Sequence, residues 1–384
     1  MKKNFNEFLF NIYFWMYTIF PALIPNYDSH STLILAISLI LILILSIIYN
    51  FKNFKFKTKE IICYFVILII SMFDVAFRYN SYMNNIYIYL ILFGIIPIYL
   101  YSRCKNKKKI LEYFQYFSIF IFIIYFLNPF NQNNKSSDYM TYGFNILLPC
   151  FLGTFLLFQS IHKKLYKTIL FIICLIVFIS ALFYANKSTW ISMIIFAFIY
   201  YFIYNKKINF NKIFLSFTLI TLLLFWKTIA INLYTYSTNK GIDSYSLRTV
   251  YNIAISNSNG LAGRDVIWAR ARNHLNDNLL FGNGAGYYQT LYNGIYVHNI
   301  VYDIILEYGL VFLIIVIIII IEIIKKIIKG TEEEKKLGLL FFSLWFPKLM
   351  FSYYFQAEKG FWLFIICGLL IENNTLERDE TDEV

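Results

Sequence analysis

The fold class predicted from sequence is all-α: a polytopic membrane helix bundle of about 12 transmembrane helices with one long outer loop that contains short helices. Three observations predict it. The 384 residues are 59% hydrophobic and only 15% charged, with a mean hydropathy of +0.59, well above the range of soluble domains. The apolar residues fall in runs of the length that a bilayer requires, about 17–25 residues. The basic residues gather in alternate loops between those runs. The same features exclude other classes. With 41 Phe and 33 Tyr against 15 Gly and 6 Pro, the chain has too much apolar mass for disorder. The formal charge of +12 is distributed over loops flanking apolar runs, so it does not form a nucleic-acid face, and no nucleic-acid partner is expected.

In chain order, the runs lie near 8–24, 32–49, 61–76, 86–101, 111–128, 143–160, 167–184, 189–204, 213–232, 300–324, 338–354 and 361–371. Met1-Lys2-Lys3 ahead of the first run has the look of a signal peptide. That run is long, aromatic and without a small-x-small cleavage site, so it is expected to be the first membrane helix. The five cysteines are scattered with no CxxC spacing and are expected to be small core residues. The loops at 52–59, 103–109, 163–167, 206–212 and 325–336, together with Lys2, Lys3 and Arg378, hold 23 of the 34 basic residues. The positive-inside rule therefore puts both termini in the cytoplasm. The chain divides into membrane helices one to nine (1–232), a long outer loop carrying the active-site segment (233–297), and the last membrane helices with an acidic cytoplasmic tail (298–384).

The candidate site residues gather on the outer side. Lys outnumbers Arg 27 to 7, yet four of the seven arginines lie between Arg248 and Arg272. A planar, permanently charged guanidinium forks well onto phosphate oxygens, which suggests a phosphate-bearing ligand; a solvated or headgroup-contacting face is the alternative. Residues 261–276 predict a short amphipathic helix with Arg264, Trp268 and Arg272 on one stripe and Ile267, Ala271 and Leu275 on another. The glycines of Phe281-Gly282-Asn283-Gly284-Ala285-Gly286 permit a tight turn or a close approach of backbone to a ligand. His298-Asn299 opens a helix, where the local dipole favours anions and a neutral imidazole, so His298 is a candidate proton acceptor beside a bound diphosphate. Asp303 and Glu307 share one stripe of that helix, and intramembrane carboxylates usually face a polar cavity. Asp74 and Arg78, four residues apart, suit an intrahelical ion pair or a place in the site lining. Lys187, in the turn Asn186-Lys187-Ser188-Thr189-Trp190, either snorkels to headgroups or points into the same outer cavity.

The order of these parts resembles the O-antigen polymerase and O-antigen ligase superfamily of bacterial cell membranes. The matching segments are Lys187-Ser188-Thr189-Trp190, Gly263-Arg264-Asp265-Val266-Ile267-Trp268, Phe281 to Gly286, His298-Asn299 and Glu307-Tyr308-Gly309, covering roughly residues 184–310. Asp138-Tyr139-Met140-Thr141-Tyr142-Gly143 adds a segment entering a middle helix. Lys187 stands where the family commonly has arginine. The resemblance implies a helical fold of the lipid-linked-sugar (GT-C-like) type in the bacterial inner membrane and an inverting, metal-independent glycosyltransferase without cofactors. The implied substrate is an undecaprenyl-diphosphate-linked oligosaccharide, with membrane lipid around the chain and a chain-length regulator and a flippase of the same pathway as partners. On this basis His298 and Arg264 are the expected catalytic residues. Lys187, Arg248, Arg272, Trp268, Asn299, Glu307, Asp74 and Arg78 are the expected substrate- and diphosphate-binding set.

Within that superfamily the polymerase is favoured over the lipid A-core ligase, because Asn293-Gly294-Ile295-Tyr296-Val297, just before His298, lacks basic residues. A transporter or flippase would place ionisable residues near the midplane on broken helices and show repeat symmetry; neither is evident, since most central spans are uninterrupted Ile/Leu/Phe runs and the polar features gather at one face. The topology is testable by single cysteines in a cysteine-free background. A cysteine at Asn239 should react with an impermeant thiol reagent in cells with a permeable outer layer, and one at Asn209 should not; the reverse pattern would invert the topology.

Overall fold

The computed structural model describes residues 4–23, 29–51, 56–77, 80–127, 139–204, 210–242, 244–256 and 263–371. Among them every regular element is helical. In order these are α1 (Phe5–Leu23), α2 (Ser29–Asn50), α3 (Thr58–Phe77), α4 (Met83–Leu90), α5 (Ile96–Arg103), α6 (Lys107–Leu127), α7 (Tyr139–Thr141), α8 (Leu148–Ser160), α9 (Lys164–Tyr184), α10 (Lys187–Ile199) and α11 (Phe210–Asn239). There follow α12 (Tyr245–Ser256), α13 (Arg264–Asn273), α14 (Tyr287–Leu291), α15 (Ile300–Lys329), α16 (Glu332–Phe351) and α17 (Lys359–Leu370). Each of the twelve apolar runs lies on helix over most of its length. Five stretches of described helix are long and apolar enough to cross a membrane: Leu33–Asn50, Met83–Arg103, Tyr139–Ser160, Lys164–Tyr184 and Ile300–Lys329. Lys187–Phe202 and Lys359–Leu370 are shorter apolar helices.

Two of the long stretches contain a wide π turn, at Ile91–Ile95 before α5 and at Tyr142–Leu147 before α8. A proline follows each turn, Pro97 and Pro149, and proline has no N–H to give the preceding turn. Hydroxyls supply the missing donors. Tyr13 donates to the Leu92 carbonyl, and Thr18 Oγ1 donates to Asn145 O at 2.6 Å, the carbonyl that an N–H at position 149 would have served.

The chain forms two compact units. One comprises 1–16, 29–113 and 267–384, the other 17–28 and 114–266. In the first, α5 is buried along Ile96 to Ser102 and packs on α17, with Tyr101 edge-on to Phe10 and Phe341. Its basic-loop end is tied by a buried pair, Arg103 to Glu60 at 2.5 Å, and by Glu7, which accepts the Lys105 and Asn106 backbone N–H groups at 2.9 Å. In the second unit α8 packs on α9 and α10, with Gly153 tight against the Ser118 side chain.

The sequence predicts an uninterrupted helix over 300–324, and here the structure differs. Gly309, with φ 82 and ψ 174, breaks α15 after two turns. A break at that residue leaves the carbonyls of Leu306 and Glu307 without the N–H groups of Leu310 and Val311. The segment 279–284 takes over all four groups. Asn283 N donates to Leu306 O and Gly284 N to Glu307 O, both at 2.8 Å, while Leu310 N donates to Leu279 O at 2.8 Å and Val311 N to Leu280 O at 3.3 Å. The two backbones approach so closely that a Cβ at Gly309 would lie 2.1 Å from Leu280 O, and one at Gly282 would lie 2.4 Å from Glu307 O. The Gly309 conformation is one that essentially only glycine adopts, at a cost of about 1–3 kcal/mol for any other residue before the collision is added. Gly309→Ala should therefore lower the thermal midpoint of the detergent-solubilised protein by several degrees or prevent its accumulation; a variant that accumulates and melts like wild type would show that the break is dispensable.

Candidate functional site

In the first unit the break in α15 organises a polar cluster. The segment after Gly282 is anchored residue by residue. Ala285 N donates to Asp74 Oδ2 at 3.2 Å, Gly286 N to Glu307 Oε1 at 2.7 Å, and Asn80 Nδ2 donates to Ala285 O at 2.8 Å. Tyr87 donates its hydroxyl to Asp74 Oδ2 at 3.0 Å, and Gln356 donates its amide to Glu307 Oε2. Asp303, one turn before Glu307, is buried on the same helix. The carboxylates of α3 and α15 thus fix two segments, the glycine-rich loop and the turn 352–358 between α16 and α17.

This corrects two expectations. The backbone N–H groups of Asn283, Gly284, Ala285 and Gly286 all have partners within the protein, so the close approach that the glycines permit is to α15 and not to a ligand. Glu307 and Asp74, expected to contact substrate, are buried and direct carboxylate oxygens at this loop. Arg78, the expected partner of Asp74, lies outside the described residues. The loop's first half continues into Tyr287, where Asp277 Oδ2 accepts from the Tyr287 hydroxyl at 2.7 Å and meets His274 Nδ1 at 2.8 Å. His274 Nε2 lies 3.0 Å from the Tyr292 hydroxyl.

Behind this loop Ile267, Trp268 and Ala271 of α13, with Leu275 just past its end, pack against Tyr288, Val297 and Leu306. Trp268, expected on a ligand-facing stripe with the arginines, turns inward, because its indole N–H donates to Val297 O at 3.1 Å. That bond holds the residue preceding His298. Asn299 is the N-cap of α15, accepting from Val301 N at 2.9 Å and Tyr302 N at 3.3 Å, so its side-chain oxygen serves the helix end. Between these two anchors His298 takes a left-handed backbone, φ 59, a strained state for a residue with a Cβ. Its half-buried imidazole lies 4.1 Å from the Tyr296 ring, centroid to centroid. Arg272 is exposed, and Arg270 lies over the Tyr292 ring at 5.4 Å.

In the second unit the segments around residues 139–143, 186–190 and 244–248 converge. Asn186 caps α10, accepting from Thr189 N at 2.9 Å and Thr189 Oγ1 at 2.6 Å. Gly143 sits against Thr189 so tightly that a Cβ would lie 2.4 Å from its hydroxyl. Trp190 donates to Ser246 Oγ at 2.9 Å, and Tyr139 stacks on Tyr245 at 4.6 Å. These contacts set Lys187, half-buried, where the like charge of the buried Arg264 guanidinium acts on it. Lys187 and Arg264 are thus cations partly or largely withdrawn from solvent, a state that suits an anion. Arg248 is exposed beside the Tyr245 ring, at 6.0 Å from its centroid.

Sequence reasoning missed Asn80, Tyr296, Tyr353, Tyr354 and Gln356. The available signal was the polar, aromatic turn Ser352-Tyr353-Tyr354-Phe355-Gln356 between two apolar runs. No protein-family model matches the chain, nor does any curated protein or solved structure.

The exposed Asp277 carboxylate titrates below its ordinary value of 3.8, held there by the hydrogen bond from Tyr287 and then by His274, while burial and the Asp277 contact raise Tyr287 to about 12. A carboxylate depressed in the fold contributes stability above its unfolded pKa, lost as pH falls through the folded value. The difference in amide exchange of residues 274–292 between wild type and Asp277→Asn should thus be present at pH 6 and be lost as pH falls below 3.8 through the depressed folded value. A difference unchanged once the carboxyl is shown to be protonated would mean that the charge is not involved.

Proposed function

We propose that this chain is a membrane glycosyltransferase that polymerises undecaprenyl-diphosphate-linked oligosaccharide repeat units at the outer face of a bacterial cell membrane. The observation that carries the proposal is the gathering of separated motif segments. Phe281 to Gly286 and Glu307-Tyr308-Gly309 bond to one another directly, and the loop between them ends at His298. In the other unit Tyr139 to Gly143, Lys187 to Trp190 and Arg264 are likewise associated.

The chemistry requires a base and fixed cations. A hydroxyl of the acceptor sugar attacks the anomeric carbon of the donor, the bond from that carbon to the diphosphate oxygen breaks, and the carbon inverts. The hydroxyl proton goes to a base, and the diphosphate leaves with two electrons from the broken bond. His298 is the proposed base. Arg264 and Lys187 are the proposed cations for the diphosphate, with the exposed Arg248 and Arg272 drawing the anion in.

Transport is the second reading that a specific observation brings forward, because α15 is broken and carries buried Asp303 and Glu307. In transporters the freed backbone groups coordinate ions or substrate. Here the four freed groups bond to residues 279, 280, 283 and 284, which favours a rigid support.

Deleting the gene from its source and separating the surface glycan from the lipid-carrier pool on gels tests the proposal. Polymerase loss should leave single repeat units on the surface, restored to long chains by the wild-type gene. Restoration by His298→Ala at equal protein level should be at least about 10²-fold weaker, the usual cost of losing a general base. Long chains accumulating on the carrier would assign the ligase reaction instead, and unchanged glycan in both pools would remove both.

A further inference from the structure

We propose that the acidic segment 372–384 binds in a cleft at the basic-loop end of the first unit, paired with Lys105, Lys107 and Lys108. The proposal is independent of the glycosyltransferase reading and names a contact within the chain that no motif contains. The cleft has a volume of about 600 Å³. Its walls are the start of α1 at Glu7, the turn from α5 into α6 with Lys105, Lys107 and Lys108, and the start of α16 at Glu333. Residues 372–384 lie outside the described residues.

Charge inside the cleft is unbalanced. Glu7 is buried, and its Oε1 accepts the Lys105 and Asn106 backbone N–H groups at 2.9 Å, so this carboxylate serves the turn that carries the lysines. Lys109 pairs with Glu112 along α6. Lys105, Lys107 and Lys108 have no ion pair among the described residues, and the Lys107 ammonium lies 4.0 Å from the Tyr101 ring centroid. Lys105 and Lys108 are exposed and Lys107 is half-buried. Lys107 and Lys108 open α6, where the helix dipole is positive and cations are unfavourable. Positive-inside sorting accounts for lysines in this loop but not for their convergence on a cleft at a helix start. An acidic chain laid across the turn relieves the repulsion among them.

The segment matches the cleft in charge and in reach. It carries Glu372, Glu377, Asp379, Glu380, Asp382 and Glu383 against one cation, Arg378. It follows Ile371, whose carbonyl accepts from Lys59 Nζ at 3.5 Å. One helical turn earlier Cys367 Sγ accepts from the Tyr101 hydroxyl at 3.2 Å, and Lys107 lies on that same tyrosine ring. Residues 372–376 extend at most about 18 Å, which covers the way from Ile371 past Tyr101 to Lys107. Residues 377–383 then meet the lysines at the high effective concentration of a short tether. The order of signs also favours this occupant over an anionic lipid headgroup. Such a headgroup offers only negative charge and meets Glu333 in the wall, whereas the segment sets Arg378, flanked by Glu377 and Asp379, where one cation can answer Glu333.

The test uses the full chain in phosphatidylcholine vesicles with benzoylphenylalanine, a photoreactive residue, in place of Thr381. Light should join it to peptides containing residues 105–108 or 331–333, located by mass spectrometry, and about 1 M salt, which screens charges beyond about 3 Å, should remove the product. Lys105→Glu with Lys107→Glu should lower the yield at least about tenfold at an unchanged thermal midpoint, and adding Glu377→Lys, Asp379→Lys and Glu380→Lys should restore it to within about threefold. Product elsewhere only, a yield indifferent to salt or to the lysine changes, or a loss that the charge swap does not restore overturns the proposal. So does loss of the product when phosphatidylglycerol is added to the vesicles, which would give the cleft to the headgroup. If the lysine variant does not accumulate, Glu377→Gln, Asp379→Asn and Glu380→Gln together replace it: a yield lower by about tenfold supports the proposal and an unchanged yield overturns it.

Discussion

Four hydrogen bonds across the break in α15 are the constraint on which the first unit depends. A helix in an apolar surrounding cannot be interrupted unless its freed donors and acceptors find partners, since each unsatisfied group costs several kcal/mol there. The segment 279–284 meets that demand group for group. The same pairing brings Glu307 to the Gly286 N–H and to Gln356. One glycine at the end of two helical turns thereby fixes a loop before it in sequence and a turn after it.

Burial of the carboxylates follows from this arrangement. Asp74, Asp303 and Glu307 are each less than 5% exposed, and a charge so placed is tolerated only with hydrogen bonds around it. Backbone N–H groups at 285 and 286 provide them for Asp74 and Glu307. The second unit solves a smaller problem by similar means. Its α10 starts at a cap made by Asn186, and the close seat of Gly143 on Thr189 sets the end of that helix beside the segment that enters α8. Lys187, the first residue of α10, is placed by that seat and by the Trp190–Ser246 bond.

Much of the helical framework was legible, because long apolar runs separated by charged loops mark where helices lie, and each of the twelve runs carries helix over most of its length. The roles of individual residues were less so. Trp268 shares a fourfold spacing with Arg264 and Arg272, yet the Val297 carbonyl draws it inward, an effect with a partner 29 residues away that periodicity does not contain. The break at Gly309 was hidden for a related reason. A glycine within Ile/Leu/Phe-rich helix reads as a tolerated weakness, and only the backbone of residues 279–284, arriving from the loop, turns it into a junction.

The break also bears on how a site could stay rigid at the edge of an apolar chain. Loops on such a surface are ordinarily the mobile parts, while a functional side chain in general must be held within about 0.5 Å of its working geometry. His298 is held on one side by the Asn299 cap and on the other by the carbonyl that anchors Trp268, and its left-handed backbone is sustained by both. Tyr296 lies on the short path between that anchor and the loop, and Tyr353 and Tyr354 lie in a turn tied to the same helix. The elements that flank the imidazole thus share one rigid support in the first two turns of α15, so a substitution at Gly309 would act on the geometry around His298 without touching the imidazole.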